Sequence, residues 1–329
     1  MTAPLLSLDN VSVRFPIGRR RHVTAVDGVT LELREGETLG LIGESGSGKS
    51  TVARAAMGLV PIADGTVRWR GEDVAGFGAK QRRSFSESVQ MVFQDPHSAL
   101  DPRRTILQSV REPLDVMGRG DKKDREAVAA KALEDVGLPL QMLKRYPHQL
   151  SGGQKQRANI ARALVTDPKV LVCDESVAAL DVALQAEILN LLQDLKKAYE
   201  LTILFISHDL SVVSYLADRI SVMYLGNIVE NATTESLVKQ SLHPYSEALL
   251  SAQPLVHDSS AERRIVLKGD IPSPVSPPPG CRFNTRCQFA QDKCRQEKPP
   301  LLEILPNHSS ACLRVDELYG ERIGRTVAS

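Results

Sequence analysis

The octapeptide Gly43-Glu44-Ser45-Gly46-Ser47-Gly48-Lys49-Ser50 follows the pattern G-x-x-x-x-G-K-[ST]. It stands between a nearly continuous apolar run, Thr38 to Gly43, and a stretch from Lys49 through Met57 that reads as helix. An apolar run of that length suits a strand buried on both faces, the kind found in parallel sheets covered by helices. Glycines at these positions let backbone N–H groups turn inward around β- and γ-phosphates, and the following helix adds its positive end. Lys49 then supplies a point charge and the Ser50 hydroxyl is placed for Mg²⁺. Gly43, Ser45, Gly46, Ser47, Gly48, Lys49, Ser50 and Thr51 are the candidate phosphate-binding residues. By itself the loop leaves kinases, GTPases and motors equally open.

The rest of the chain narrows the fold. Val11, Val13 and Phe15 alternate, as do Val29, Leu31 and Leu33, which predicts strands before the loop. Lys169 to Asp174 reads as a second buried strand, Ala183 to Ala198 as helix, and Leu201 to Ser207 and Arg219 to Tyr224 as further strands. Apolar residues three or four apart in Glu112 to Met117, Arg125 to Val136 and Ile160 to Val165 predict a mostly helical block over 95–165. Strands alternating with helices imply an α/β fold with a largely parallel sheet. The expected division is a nucleotide-binding core over 1–94 and 166–253, an inserted helical subdomain over 95–165, and a C-terminal extension over 254–329. The proline-rich run Ile271 to Gly280 reads as a stiff extended connection.

Composition removes several function classes. The net charge is +1 and aromatic residues make up 4%, so there is neither a field nor a stacking surface for nucleic acid. No run approaches the roughly 20 apolar residues a membrane span requires, and Met1 to Asn10 lacks a secretory pattern. A cytosolic chain is expected, with membrane contact only through partners. Its five cysteines then read as thiols or metal ligands rather than disulfides.

Leu150-Ser151-Gly152-Gly153-Gln154 decides among the phosphate-loop classes. Ser151 is placed to cap a helix whose N–H groups and dipole would face a phosphate. The segment matches the L-S-G-G-Q signature, and with it the chain resembles the ABC ATPases. The resemblance implies a RecA-like parallel-sheet core with an antiparallel β subdomain and an inserted helical subdomain. It also implies that Ser151, Gly153 and Gln154 contact ATP held by a partner subunit. Val170 to Glu175 looks like the Walker B strand, with Asp174 on Mg²⁺ through water and Glu175 as general base. Gln94 matches the Q-loop contact to Mg²⁺ and water, His208 the switch histidine at the γ-phosphate, and Asp181 the D-loop aspartate. One departure stands out: the D-loop S-A-L-D reads Ala178-Ala179-Leu180-Asp181 here. The lost hydroxyl bears on the turnover rate or on coupling between the two ATP sites, not on nucleotide binding. The adenine-stacking residue is Phe15 or, given the inserted run Gly18-Arg19-Arg20-Arg21-His22, His22; the arginines themselves read as a solvated loop.

Three further segments narrow the resemblance to ATPase subunits of bacterial oligopeptide and dipeptide importers: Leu242-His243-Pro244-Tyr245, Gly280-Cys281-Arg282-Phe283-Asn284-Thr285-Arg286-Cys287, and Glu37 to Leu41 leading into the loop. The likeness is to the second ATPase subunit of such systems. It implies a heterodimer with a paralogous ATPase, two transmembrane permeases, and an extracytoplasmic substrate-binding protein acting indirectly. The place implied is the cytoplasmic face of the inner (plasma) membrane, as a peripheral subunit. Nickel, glutathione or glycosides remain open as cargo beside peptides, and a soluble non-transport ABC ATPase or a redox sensor as role. Cys281, Cys287, Cys294 and Cys312 follow C-x5-C-x6-C-x17-C. Zinc sites use tighter pairs, so the spacing suits a [4Fe–4S] cluster, which the resemblance also implies; zinc and unligated thiols stay open. Cys173 reads as a small buried residue.

Overall fold

The computed structural model describes residues 3–18, 21–178, 180–252 and 265–324, except the side chain of residue 97. Arg19, Arg20 and Ala179 lie outside the described residues, as do 253–264 and 325–329. The chain divides into two units, one built mainly from 33–38 and 76–207, the other from 4–32, 39–75 and 208–324.

In the first unit three strands run parallel: Val89–Val92, Val170–Asp174 and Thr202–Ser207, with the middle one pairing Cys173 with Val92 and Asp174 with Ile206. Val170, Leu171, Val172 and Cys173 have no exposed surface, as a strand covered on both faces requires. The crossover to the last strand is helix Val182–Ala198, which turns Ile188, Leu192 and Leu195 inward. Val170–Asp174, Val182–Ala198 and Thr202–Ser207 match the sequence expectation within a residue, whereas the four-residue strand Val89–Val92 was not anticipated.

The same unit carries helices Ile106–Met117, Lys122–Asp135 and Gly152–Leu164. The apolar spacing anticipated only their later turns, because their first turns are written in caps rather than in apolar residues. Thr105 Oγ1 accepts from Gln108 N–H at 3.3 Å while Gln108 returns the bond to Thr105 N–H at 2.9 Å. Asp121 Oδ1 accepts from Asp124 N–H at 2.9 Å, so the polar Lys122-Lys123-Asp124 turn is helical.

The second unit holds a four-stranded antiparallel sheet in the order Arg21–Leu33, Leu6–Ile17, Asp64–Trp69, Glu72–Asp73. It also holds Thr38–Ile42 parallel to Arg219–Tyr224, which pairs antiparallel with Asn227–Thr233. Two short strands, His308–Ser310 and Leu302–Leu305, continue that arrangement from the C-terminal extension. Asp64, Arg68, Glu72, Glu303 and His308 interrupt any apolar alternation in the short strands, which kept them out of the sequence reading.

His308 fastens the added strands. Its Nε2–H donates to Glu230 Oε1 at 2.7 Å, with neither side chain exposed. In the tautomer with Nε2–H facing the Glu230 carboxylate, Nδ1 accepts from the Ser236 hydroxyl at 2.7 Å. Leu242 N–H donates to the same carboxylate oxygen at 2.5 Å. Removing His308 leaves a buried carboxylate short of a partner. His308→Ala is expected to lower unfolding free energy by about 3 kcal/mol in urea titrations, and His308→Gln to recover part of it.

Candidate active site

The phosphate loop belongs to the second unit. It leaves the Thr38–Ile42 strand and enters helix Lys49–Ala56 through Gly48, whose φ of 107° lies in the left-handed region. A Cβ on Gly48 would stand 2.3 Å from the Ala25 carbonyl oxygen and 2.8 Å from Met223 Cε. The Lys49 ammonium curls back along the loop, donating to Gly43 O at 2.9 Å and Glu44 O at 3.0 Å, and is buried. Ser47 Oγ is buried with no hydrogen-bond partner among the described residues. Ser50 and Thr51 lie in the first turn of the helix. Phe15 is 39% exposed at the end of Leu6–Ile17, and His22 is exposed at the start of Arg21–Leu33. His208 follows the Thr202–Ser207 strand and is exposed, and Asp209 Oδ1 caps the next helix by accepting from Ser211 N–H at 2.9 Å.

The first unit carries the carboxylates. Asp174, buried, ends its strand, and Glu175 follows with a φ of 47°. A left-handed glutamate is costly backbone, about 1–3 kcal/mol, and persists where the surroundings demand one side-chain direction. Glu175 N–H donates to Ile206 O at 3.0 Å, and its Oε2 accepts from Gln94 Nε2 at 2.7 Å. Sequence position alone paired Gln94 with Glu175 in one site; the geometry brings them into contact across 81 residues. Asn159 Nδ2 donates to Phe93 O at 3.1 Å, tying the signature helix to the residue before Gln94.

Ser151 caps helix Gly152–Leu164, its Oγ accepting from Gln154 N–H at 3.3 Å while Gln154 Oε1 accepts from Ser151 N–H at 3.1 Å. The Gln154 side chain is therefore engaged in the cap, and a cleft of about 410 Å³ opens beside Ser151, Gly153, Gln154 and Arg157. Asp181 Oδ1 accepts from Leu184 N–H at 3.0 Å and caps the Val182–Ala198 helix. Ala178 is exposed, in a turn back to the Glu175 carbonyl.

In the C-terminal region His243 is fully buried, its Nδ1 accepting from Tyr245 N–H at 3.1 Å, and burial pushes its pKa down to about 3. The ring is thus a neutral cap for helix Pro244–Ser251. Cys281, Cys287, Cys294 and Cys312 line one small cavity with Phe283 and Phe289. Burial pushes the thiols of Cys281 and Cys312 up to about 11 and about 12, and that of Cys287 upward. No three His, Cys, Asp or Glu among the described residues are grouped so as to hold a single metal ion. Cys173 is buried as expected, its thiol pushed up to about 12 by that burial. Two contacts on the loop were invisible beforehand: Tyr245 and Arg286 both hold Glu44, although each stood inside a motif that the sequence had already singled out.

A glycine-rich strand–loop–helix in the second unit, and in the first a left-handed glutamate at a buried strand end and a capped glycine-rich helix, are the features the sequence singled out for nucleotide hydrolysis. Comparison with known families gives the class its name. The ABC transporter family pattern matches residues 26–178, and the pattern of the oligopeptide/dipeptide transporter C-terminal region matches 229–294. The chain is 46% identical to YkfD of Bacillus subtilis (strain 168), covering 94% of this chain and 95% of that protein. It is likewise 46% identical to the oligopeptide transport ATP-binding protein OppF of Salmonella typhimurium, over 95% and 97% of the two chains. Among solved structures, the dimeric post-hydrolysis state of the ATP-binding cassette MJ0796, bound to ADP and Pi, superposes with a TM-score of 0.62. That match is at 29% identity and covers 70% of this chain and 98% of that one. The chain belongs to the ABC ATPases, in the group whose members carry the oligopeptide/dipeptide transporter C-terminal region.

Gly48→Ala tests the loop. With a Cβ meeting the Ala25 carbonyl, nucleotide affinity is expected to fall about tenfold or more while the circular dichroism spectrum stays native; a fluorescent-nucleotide titration measures it.

Proposed function

We propose that this ATPase powers import of dipeptides or oligopeptides, with hydrolysis at sites completed by a partner ATPase subunit. The observation that carries the reading is the 46% identity to an oligopeptide transport ATP-binding protein over nearly the whole chain, C-terminal region included. Backbone N–H groups of the 43–50 loop other than that of Glu44, together with the Lys49 ammonium, bind the β- and γ-phosphates. The adenine stacks on Phe15 or His22. Glu175, held by Gln94, takes a proton from water as its oxygen bonds to the γ-phosphorus and the bond to ADP breaks, giving ADP and phosphate. His208 contacts the γ-phosphate. Ser151, Gly153 and Gln154 face the nucleotide on the partner's phosphate loop, and Asp181 joins the two sites. Ser50, Gln94 and Asp174 would hold Mg²⁺, which would neutralise charge on the phosphates.

The assembly we infer is a pair of paralogous ATPases beneath two membrane-spanning permeases, fed by an extracytoplasmic binding protein. No helix among the described residues is long and apolar enough to cross a membrane. The chain would then lie on the cytoplasmic face of the plasma membrane.

The donor set at Cys281, Cys287, Cys294 and Cys312 supports a [4Fe–4S] cluster. The four thiols line one cavity. They would hold the cluster, which would supply positive charge favouring their thiolate forms, and its binding would release protons.

Two measurements test these readings. In proteoliposomes with both permeases and the paralogous subunit, Glu175→Gln is expected to cut ATP-driven peptide uptake and ATPase turnover by about 10²-fold or more; uptake that survives would refute the assigned base. Anaerobically purified protein is expected to contain iron and acid-labile sulfide in equal amounts with visible charge-transfer absorbance, both lost in Cys281→Ser/Cys287→Ser. Stoichiometric zinc without iron would refute the cluster.

A further inference from the structure

Glu44, the second residue of the phosphate loop, is held at three places. Its carbonyl oxygen accepts from Lys49 Nζ. Its N–H donates to the Tyr245 hydroxyl at 2.9 Å. Its carboxylate forms a two-pronged pair with Arg286, Nη1 to Oε2 at 2.6 Å and Nη2 to Oε1 at 3.0 Å. The guanidinium is almost fully buried, with 8% of the side chain exposed against 26% for Glu44. Its centre lies 5.9 Å from that of the Tyr224 ring. Phe283 packs against Tyr224 and Tyr245 with ring centres 5.2 and 5.4 Å apart. Tyr224 ends the strand beside the loop's own strand, and Gly226 N–H, two residues on, donates to Ser47 O at 2.9 Å. Two of the three restraints on Glu44 therefore come from residues beyond 240.

Hydrolysis chemistry assigns no task to Glu44, Tyr245 or Arg286. A phosphate cradle works by the direction of its N–H groups, and the Glu44 N–H is committed to a phenol. The bidentate geometry also fixes the side chain in orientation as well as distance. We propose that Arg286 and Tyr245 are positioning residues for the phosphate loop, through which the cysteine-bearing C-terminal region sets affinity for nucleotide phosphates. The proposal rests on 43–50 being the phosphate site. Arg286 immediately precedes Cys287, so the turn that carries the guanidinium also carries a thiol of the four-cysteine cavity. Nucleotide affinity and the order of that turn are then linked, and by reciprocity bound nucleotide orders the turn.

The test uses the full chain and MgADP titrated by calorimetry, with ATPase kinetics alongside. Arg286→Ala is expected to weaken MgADP binding on the order of tenfold, the usual scale of such coupling, and to raise KM for ATP with kcat kept within about twofold. Arg286→Lys recovers part of the affinity. Glu44→Gln reproduces the loss, and the double variant is no weaker than either single one. Lys293→Ala, which breaks an ion pair with Glu317 inside the same region, leaves binding unchanged. In hydrogen exchange, MgADP protects residues 281–287 of the unaltered chain but not of Arg286→Ala. Unchanged affinity in Arg286→Ala, or losses that simply add in the double variant, would overturn the proposal. Should Arg286→Ala fail to fold, Glu44→Gln and Arg286→Lys carry the same comparison. Lys49→Ala separates the two failures: if it binds MgADP normally, the phosphate-site reading falls and not merely the role of Arg286.

Discussion

A buried ammonium group sets the terms for this molecule. Lys49 reaches back to Gly43 O and Glu44 O and ties the loop into its curl. That curl is possible only because Gly48 accepts a left-handed backbone and lies against the Ala25 carbonyl, where no side chain fits. The buried strand before it and the helix after it fix the ends of the loop. Everything proposed for the nucleotide depends on this arrangement being ready before the ligand arrives, since reorganising it afterwards would subtract from binding.

Preorganisation recurs in the first unit in a different form. Glu175 is held at a left-handed φ by its N–H bond to Ile206 O and by Gln94 on its carboxylate. Ser151 and Gln154 close a capping box that leaves Gly153 against Leu184. In both places a conformational cost is met by neighbours whose identity was readable as a motif but whose contact was not.

The C-terminal extension is more integral than its proline-rich entry suggests. Its two short strands continue the pairing of Asn227–Thr233, and His308 reaches into a fully buried carboxylate. Arg282 and Lys298 both bind Asp27, and although burial alone would raise that carboxyl, the two cations hold its pKa at about 2. The sequence marked the region only as an extension entered through a proline-rich connection, whereas these ion pairs tie it to the strand Arg21–Leu33 within the same unit.

The amino-acid sequence by itself determined the glycine-rich turn into helix Lys49–Ala56, the buried strands Thr38–Ile42 and Val170–Asp174, the cap at Ser151 and the family. Each of these rests on local physics: glycine backbone freedom, apolar continuity and side-chain capping act over a few residues and leave a local trace. Helix starts such as Lys122 and strands such as His308–Ser310 left weaker traces, because caps and edge pairing replaced apolar periodicity. The grip of Arg286 and Tyr245 on Glu44 left none that could be read as a contact. It joins residues up to 242 apart in sequence, and which charged groups meet at such separation is decided by how strands and aromatic rings pack, not by any pattern along the chain.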